Sequence, residues 1–546
     1  MNVPEEENSQ RFFVPQTDRI FRAEPLLRLG WKSPSSLLRE VVSPCGSVML
    51  REPMESGSRC KSKSNDNGDS REPGSTTAGI GLARRCFAAA FGLIFLAAFL
   101  SLAVQVRGLF GEQGIVPAGG FLKAAHSRLG ATAFWEVPSL CWFGAGDGFL
   151  VALCIAGALL SLAVAIGVAP GACSFGCWII YLSLCSVGSP FLNFQWDVLL
   201  TETALLAAFW LPWWLRPEWG IETRVQRFAR WLLWWLLFRL MFESGLVKLT
   251  WGDQTWWDLS ALVFHFETQP LPLWTAWYAH HLPGWLLRVI TFGMFVIELT
   301  VPFLIVAPRR WRHASGLALA SLQVGIMLTG NYAFFNLLSI ALCLPLFDDA
   351  FFPARWRKPL PTSEAPQAPK WRKAIAAACA LLAAALTLPG LFGAFRVDCP
   401  QPLAALRSFN GYGLFRVMTR ERPEVVIEGS NDGVTWNEYE FPWKPGDVRR
   451  RPALVAPHQP RVDWQMWFAA LGDARGNPWF VNLLVRTLQG TPEVLAFYEW
   501  NPFPIHPPRM IRAVRYDYHF TRAGESGWWR RERRGLYCQP ISLSGK

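Results

Sequence analysis

The sequence predicts an α-helical multi-pass membrane bundle of about eight or nine spans, followed by a C-terminal β-rich (α+β) soluble domain. Three observations predict it. Apolar runs of near-bilayer length recur between residues 86 and 394. The 546 residues are 51% hydrophobic and only 17% charged, and they include 29 Trp, a residue favoured where one edge is apolar and the other wet. After Cys399 the long apolar runs give way to short alternating stretches. The net charge of +12 would suit nucleic acid, but the Lys and Arg cluster beside apolar runs, where they orient a chain in a bilayer. No nucleic-acid partner is expected.

Residues 1–80 include SRCKSKSNDNGDSREPGSTTAG, polar and without an apolar period that could bury a core. They read either as a disordered cytosolic tail or as a start placed too far upstream, with Met49 or Met54 first. They lack a signal-peptide apolar region and cleavage site, so the first span serves as the targeting signal. The polytopic domain, 81–396, holds apolar runs near 86–106, 149–169, 172–188, 197–215, 231–249, 285–307, 314–329, 332–347 and 374–394. The runs 314–329 and 332–347 are short, and one of the two is a candidate re-entrant segment. With the N-terminus inside, the loops 212–230, 308–313 and 348–373 carry thirteen Lys/Arg, against three in the external loops. That bias sets the N-terminus in the cytoplasm and puts loop 250–284 and residues 397–546 outside.

The run WLLWWLLFRLMFESGLVKL (231–249) contains Arg239, Glu243 and Lys248. A charge at mid-bilayer costs roughly 2.5–3.5 kcal/mol, so such residues face protein or water. Arg239 and Glu243 stand at i, i+4, which puts them on one helix face, where each can neutralise the other. Lys248 is about 140° round from Glu243 and is expected to snorkel to the external interface. Asp197 and Glu202, in FQWDVLLTET, are five apart and do not share a face. They call for separate partners, with Arg239 and Lys248 as candidates. The loop that follows, 250–284, is dense in Trp and has His265, His280 and His281, no Lys or Arg, and Pro at 270, 272 and 283. The candidate functional residues are therefore Gln195, Trp196, Asp197, Glu202, Arg239, Glu243, Lys248, Trp251, Asp253, Trp256, Trp257, His265 and Glu267. The three His could gather with Asp253, Asp258 and Glu267 into a metal or acid/base site, but their spacing matches no ligand pattern. Interface and hydrogen-bonding roles are the reading adopted.

Beyond residue 397 the pattern is that of an extracytoplasmic, β-sandwich-like domain with a helical insertion. EVVIEGS and VTWNEYEF flank an Asn-Asp-Gly turn, a hairpin signal. IRAVRYDYHF alternates, with Val514, Tyr516, Tyr518 and Phe520 on one face. DWQMWFAALGD places Trp464, Trp467, Phe468 and Leu471 on one helical stripe. Eight of the twelve Cys fall between Cys86 and Cys379, mostly as small apolar residues within the runs. Cys173 and Cys177 are four apart and lack the partners of a zinc site. Cys399 and Cys538 bracket the last domain, and an oxidising compartment would let them pair; two separate thiols remain the alternative. GxSxG, Walker, GxGxxG and HExxH motifs are absent, so no catalytic residue, metal or cofactor is assigned.

Four blocks carry a resemblance: LNFQWDVLLTETALLAAFW, RLMFESGLVKLTWGDQTWWDLSALVFHFETQPLPLWTAWYAHHLP, FNGYGLFRVMTRERPEVVIEGSNDGVTW and PHQPRVDWQMWFAALG. Together they resemble the lipase maturation factor family, from about residue 84 to 540. The resemblance implies a multi-pass membrane protein whose vertebrate members sit in the endoplasmic reticulum and help secreted dimeric lipases fold and assemble. The chain departs from that setting in ending ISLSGK, without a KDEL-type signal, and in having none of its thirteen Asn in N-x-S/T. Both departures fit a bacterial homologue in the plasma membrane.

Two functions follow. The first is a non-enzymatic folding or assembly factor whose Trp-rich loop and C-terminal domain hold a client, a secreted lipase by resemblance, through aromatic contacts. The alternative is a membrane enzyme acting on a lipid-soluble substrate, similar in plan to vitamin K-dependent carboxylases, with intramembrane charges handling protons.

Overall fold

A carboxylate opens the first membrane-length helix. Asp349 accepts from the amides of Gly81 and Leu82 (3.0 and 2.8 Å), satisfying donors that a helix start leaves bare. The computed structural model that shows this describes residues 79–356, 385–395 and 403–543. The expected N-terminal tail, the basic stretch 357–373, most of the ninth apolar run and Cys399 lie outside those residues.

From that start run α1 (Gly81–Ala103), the short α2 (Val106–Phe110), α3 (Ala118–Leu129) and α4 (Ala133–Glu136). Then come α5 (Asp147–Ile166), α6 (Pro170–Val187), α7 (Gln195–Trp210) and α8 (Arg224–Thr250). Gly167, left-handed at φ 87°, ends α5, and Pro170 begins α6 at the position that needs no amide donor. A capping box between Thr223 and Gln226 starts α8. A Cβ on Gly92 would fall 2.4 Å from Ala165 N, so α1 and α5 pack backbone to backbone there. The loop after α8 folds as a cap of three short helices, α9 (Gln254–Trp257), α10 (Ala261–Thr268) and α11 (Trp274–His280). The chain returns through α12 (Gly284–Leu299), which a 3₁₀ turn carries on to Val306, then α13 (Arg309–Met327) and α14 (Phe335–Cys343). Among the described residues, four helical segments are long and apolar enough to cross a bilayer: α1, α5, α6 and Gly284–Val306. Residues 335–346, helical to Leu346, measure only about 18 Å, short of a bilayer core.

The ends of the helices sort into two sets. At one end Arg84 donates to Trp210 O and to Ile221 O (3.0 Å), Glu222 pairs with Arg230 (3.1 Å), and Asp348 pairs with Arg309 (2.6 Å). At the other end the cap and the C-terminal region meet.

That region differs from the expected sandwich. It holds one four-stranded antiparallel sheet in the order β2-β1-β3-β4: β1 (Pro423–Ser430), β2 (Asn437–Tyr439), β3 (Met510–Phe520) and β4 (Trp529–Ser542). Between β2 and β3 are inserted α15 (Arg461–Ala470), α16 (Pro478–Gln489) and α17 (Pro492–Leu495). The insertion takes the place of a second sheet: α15 packs on β1, which is buried along its whole length. The hairpin turn forms as expected, with Asp432 accepting from the Val434 and Thr435 amides (2.8 Å each). The alternation of β3 is interrupted. Bulges against β4 shift the register near Ala513 and Arg515, so Ala513 and Val514 are both buried. The stripe on α15 is wider than expected, with every residue from Arg461 to Trp467 buried. Nor is the region a separate body. Val425, Ile427 and Trp464 belong to the same apolar core as Phe99, Trp196 and Leu240 of the helices.

Candidate functional site

The apolar helices bury charges, and each charge has to find compensation inside the fold. Glu202 on α7 and Arg239 on α8 form an ion pair, with both side chains almost fully buried. This corrects the expected Arg239–Glu243 pair. The guanidinium turns across to the neighbouring helix, where Glu202 offers a carboxylate already held by other donors. Those donors come from residues 407–418, a strand-free segment wedged against α7 and α8. Tyr412 Oη (2.8 Å), Asn410 Nδ2 (3.0 Å) and the Asn410 amide (3.2 Å) all donate to Glu202 Oε2. Arg239 donates in turn to Asn410 O (2.6 Å). Glu243 accepts from the Tyr412 amide (2.6 Å), and Gln195 accepts from the Gly413 amide (3.1 Å). Four expected residues therefore converge on a segment that side-chain reasoning passed over.

Lys248 also departs from expectation. It does not snorkel but lies buried, paired with Glu298 of α12 (2.8 Å) and donating to Ser244 O (2.9 Å). The short reach to Glu298 makes burial less costly than extending past Trp256, over whose ring the ammonium sits (5.4 Å). Asp197 pairs with Arg461 of α15 through two bonds (2.7 and 2.8 Å) and accepts from Tyr181 Oη (2.6 Å). Asp197 and Glu202 thus have separate partners. Trp196 stacks on Phe194 (4.6 Å) and meets Trp464 edge-on (4.7 Å), joining α7 to α15.

The remaining candidates lie in the cap. Trp251 ends α8, under the Arg416 guanidinium (4.9 Å to the ring). Asp253 caps α9 through the Thr255 amide (2.9 Å) and accepts from the Met418 amide. Trp256 is buried and donates to Phe415 O (3.0 Å), whereas Trp257 is 60% exposed. His265 Nε2 meets Tyr332 Oη (3.1 Å), and burial, aided by Lys248, pushes its pKa down to about 4. Glu267 accepts from His519 Nδ1 (2.9 Å) and the Phe520 amide (3.1 Å), and lies 3.6 Å from His280. Arg422, fully buried, donates to the carbonyls of Glu267 (2.7 Å), Gln269 and Pro270 (2.8 Å) and pairs with Glu424 (2.9 Å). His265, Asp253 and Glu267 thus go to three different partners. Among the described residues no three His, Cys, Asp or Glu are grouped to hold a metal.

The chemistry on offer is that of a lock and a surface. The ion pairs and the amides of 407–418 fasten the helices, the cap and the C-terminal region into one core. On the outside of the cap and at the head of α12, Trp257, Tyr278 and Trp285 stay 60%, 56% and 66% exposed, enough ring area to engage an apolar partner. A family model for the lipase maturation factor transmembrane domain matches residues 82–354, and one for the lipase maturation factor C-terminal domain matches 408–539. The chain belongs to the lipase maturation factor family. It is similar to lipase maturation factor 2 of Xenopus laevis, 36% identical across 82% of this chain and 81% of that one. The human lipase maturation factor 2 is 36% identical across 85% and 83%. Lipase maturation factor 1 of Bos taurus is 33% identical across 83% and 88%. No solved structure matches. The boundary between the two family models falls in 355–407, so residues 408–418 of the wedge belong to the C-terminal one and their carboxylate acceptors to the transmembrane one.

Residues that the sequence reading missed are Asn410, Tyr412, Arg422, Arg461 and Glu298. Glu298 carried a usable signal, a lone carboxylate within the apolar run 285–307. Arg461 lay inside a quoted family block but was not singled out there.

Proposed function

We propose that this lipase maturation factor relative is a membrane-embedded folding and assembly factor for secreted lipases. The observation that carries the reading is similarity over more than four-fifths of the chain to proteins named lipase maturation factors, with both domain models matched in order. The exposed rings of the cap and α12 supply a surface for an incompletely folded client, while the fastened core beneath keeps that surface in place. Each of Arg239, Lys248 and Asp197 sits in an ion pair, which favours structural work over proton handling. The proposed topology has the N-terminus in the cytoplasm, about eight or nine spans, and the cap and C-terminal region outside. The joint burial of cap and sheet residues supports a common side for those two parts. The membrane is that of the endoplasmic reticulum in a eukaryotic host and the plasma membrane in a bacterium. The proposed pairing of Cys399 with Cys538 would staple the region outside.

The test is co-expression with a secreted homodimeric lipase in cells stripped of their own lipase maturation factors. Lipase activity per unit of secreted antigen should rise with the wild-type chain. Unchanged specific activity, with the chain inserted in the membrane and at normal levels, would refute the reading.

A further inference from the structure

The sharpest unassigned feature lies at the other end of the molecule. A cavity of 640 Å³ opens where α13 begins, lined by Pro308, Arg309, Arg310, Trp311, His313, Ala350 and Phe351. Its charge is unbalanced. Among the described residues Asp348 alone pairs with the two guanidiniums Arg309 (2.6 Å) and Arg312 (3.8 Å), and it also meets the His313 ring (3.4 Å). Asp349, next in the chain, is spent on the first amides of α1. Arg310 is exposed and forms no ion pair among the described residues.

Arg310 also stands at the head of an apolar stripe. Exposed positions follow it at 314, 317, 321 and 324 on α13 and at Leu328, its C-cap, the helical spacing of a single face. Leu317, Val324 and Leu328 are 51%, 46% and 59% exposed on that face. Beside it, at the end of the membrane-length segment Gly284–Val306, Phe303 and Val306 are 54% and 69% exposed. Trp311, at the mouth of the cavity, is 61% exposed, as suits a ring at headgroup level. A cation-rich cavity at the polar end of a continuous apolar surface matches a molecule with an anionic head and long apolar chains.

We propose that this cavity is a binding site for an anionic phospholipid. Its phosphate lies against Arg310 and Arg309, and its acyl chains lie along Leu317, Val324 and Phe303. The basic loop 308–313 faces the cytoplasmic leaflet in the topology above, and that leaflet holds the anionic lipids. The site owes nothing to the client surface of the cap and stands or falls apart from it.

The full chain, purified in a neutral detergent, is titrated with dihexanoylphosphatidylglycerol, dihexanoylphosphatidylcholine and inorganic phosphate, with bound species counted by native mass spectrometry. The wild type should retain one phosphatidylglycerol in preference to phosphatidylcholine. Arg310→Gln should weaken that binding about fivefold and Arg310→Glu about 25-fold, from the usual worth of one basic residue at an anionic surface. Arg530→Gln, on the exposed edge of β4, should change nothing. Equal affinity of the wild type for the two lipids would overturn the proposal without any variant. Full binding by Arg310→Glu would overturn it too. Displacement of the lipid by inorganic phosphate at equal concentration would reassign the cavity to a bare anion.

Discussion

Glu202 and Arg239 make an asymmetric prediction. Both side chains are almost wholly buried, but they are not equally supported. The Glu202→Gln variant strands a guanidinium whose other described acceptor is Asn410 O (2.6 Å). Arg239→Gln leaves a carboxylate that still receives Tyr412 Oη and both donors of Asn410. Breaking a buried pair by removing one partner costs about 3–5 kcal/mol, so Glu202→Gln belongs at the upper end and Arg239→Gln at the lower. The double variant removes both charges and should be less damaged than the sum of the two singles by at least about 2 kcal/mol. Combining Arg239→Gln with Glu243→Gln should give no such recovery, since Glu202 keeps its charge without its partner. The assay is equilibrium unfolding of the purified chain in mixed micelles of rising denaturing-detergent fraction, read by fluorescence across the four proteins and the wild type. Additive losses in the Glu202/Arg239 double variant would refute the cross-helix pair. Recovery in the Arg239/Glu243 double variant would restore the local i, i+4 pair in its place.

Two further outcomes follow from the cap. Arg422→Met should leave three carbonyls at 267–270 without their fork of donors, costing about 3–5 kcal/mol, and should raise hydrogen exchange over 261–280; Arg422→Lys should not rescue it, because an ammonium cannot reproduce the planar fork. His265, held near pKa 4 against 6.5 when free, takes up its proton in the opened cap before the closed one, so its contribution to cap stability is intact above pH 6.5 and falls away between pH 6.5 and 4, by at most about 3 kcal/mol. The His265→Gln variant, followed by exchange at 261–268 over that window, should lose this acid sensitivity; an unchanged pH profile would show that His265 is not the group responsible.

How far the sequence could be read depends on the range of the interaction concerned. Apolar runs at 86–106, 149–169 and 172–188 became α1, α5 and α6 within a few residues, because helix length and hydropathy are local properties. The Asn-Asp-Gly hairpin was legible for the same reason. What covers a strand is a long-range matter: the helix carrying Trp464 and Trp467 was legible, but not that it, rather than a second sheet, covers β1. The charges show the same division. That Arg239, Lys248 and Glu298 each needed a partner could be read from their apolar surroundings. Arg239 was already a candidate partner for Glu202; that Glu202 would prevail over Glu243 could not be read, since the i, i+4 rule describes an exposed helix face, where a pair gains only a few tenths of a kcal/mol. Inside the core the deciding quantity is how completely a charge is surrounded by donors or acceptors. Matching the unpaired Lys248 of one span with the unpaired Glu298 of another would have found the buried pair, and no such rule finds the wedge at 407–418.

That wedge works through its backbone. The amides of Asn410, Tyr412 and Gly413 and the carbonyl of Asn410 supply four of its bonds to α7 and α8, and a backbone group has no letter in the sequence. Its composition, FNGYGLFRVM, reads as a loop for that reason. The two glycines have a physical role: a Cβ on Gly411 would lie 2.9 Å from Gly390 O, and one on Gly413 would lie 2.7 Å from Val247 Cγ2. Side chains at those positions would hold the amides off the carboxylates of Glu202 and Glu243. The charges of α7 and α8 and the segment 407–418 are therefore one device, and neither can be assigned a role with the other removed. The aromatic cap rests on it through Asp253 and Trp256, which bind the amide of Met418 and the carbonyl of Phe415 at the far end of the same wedge.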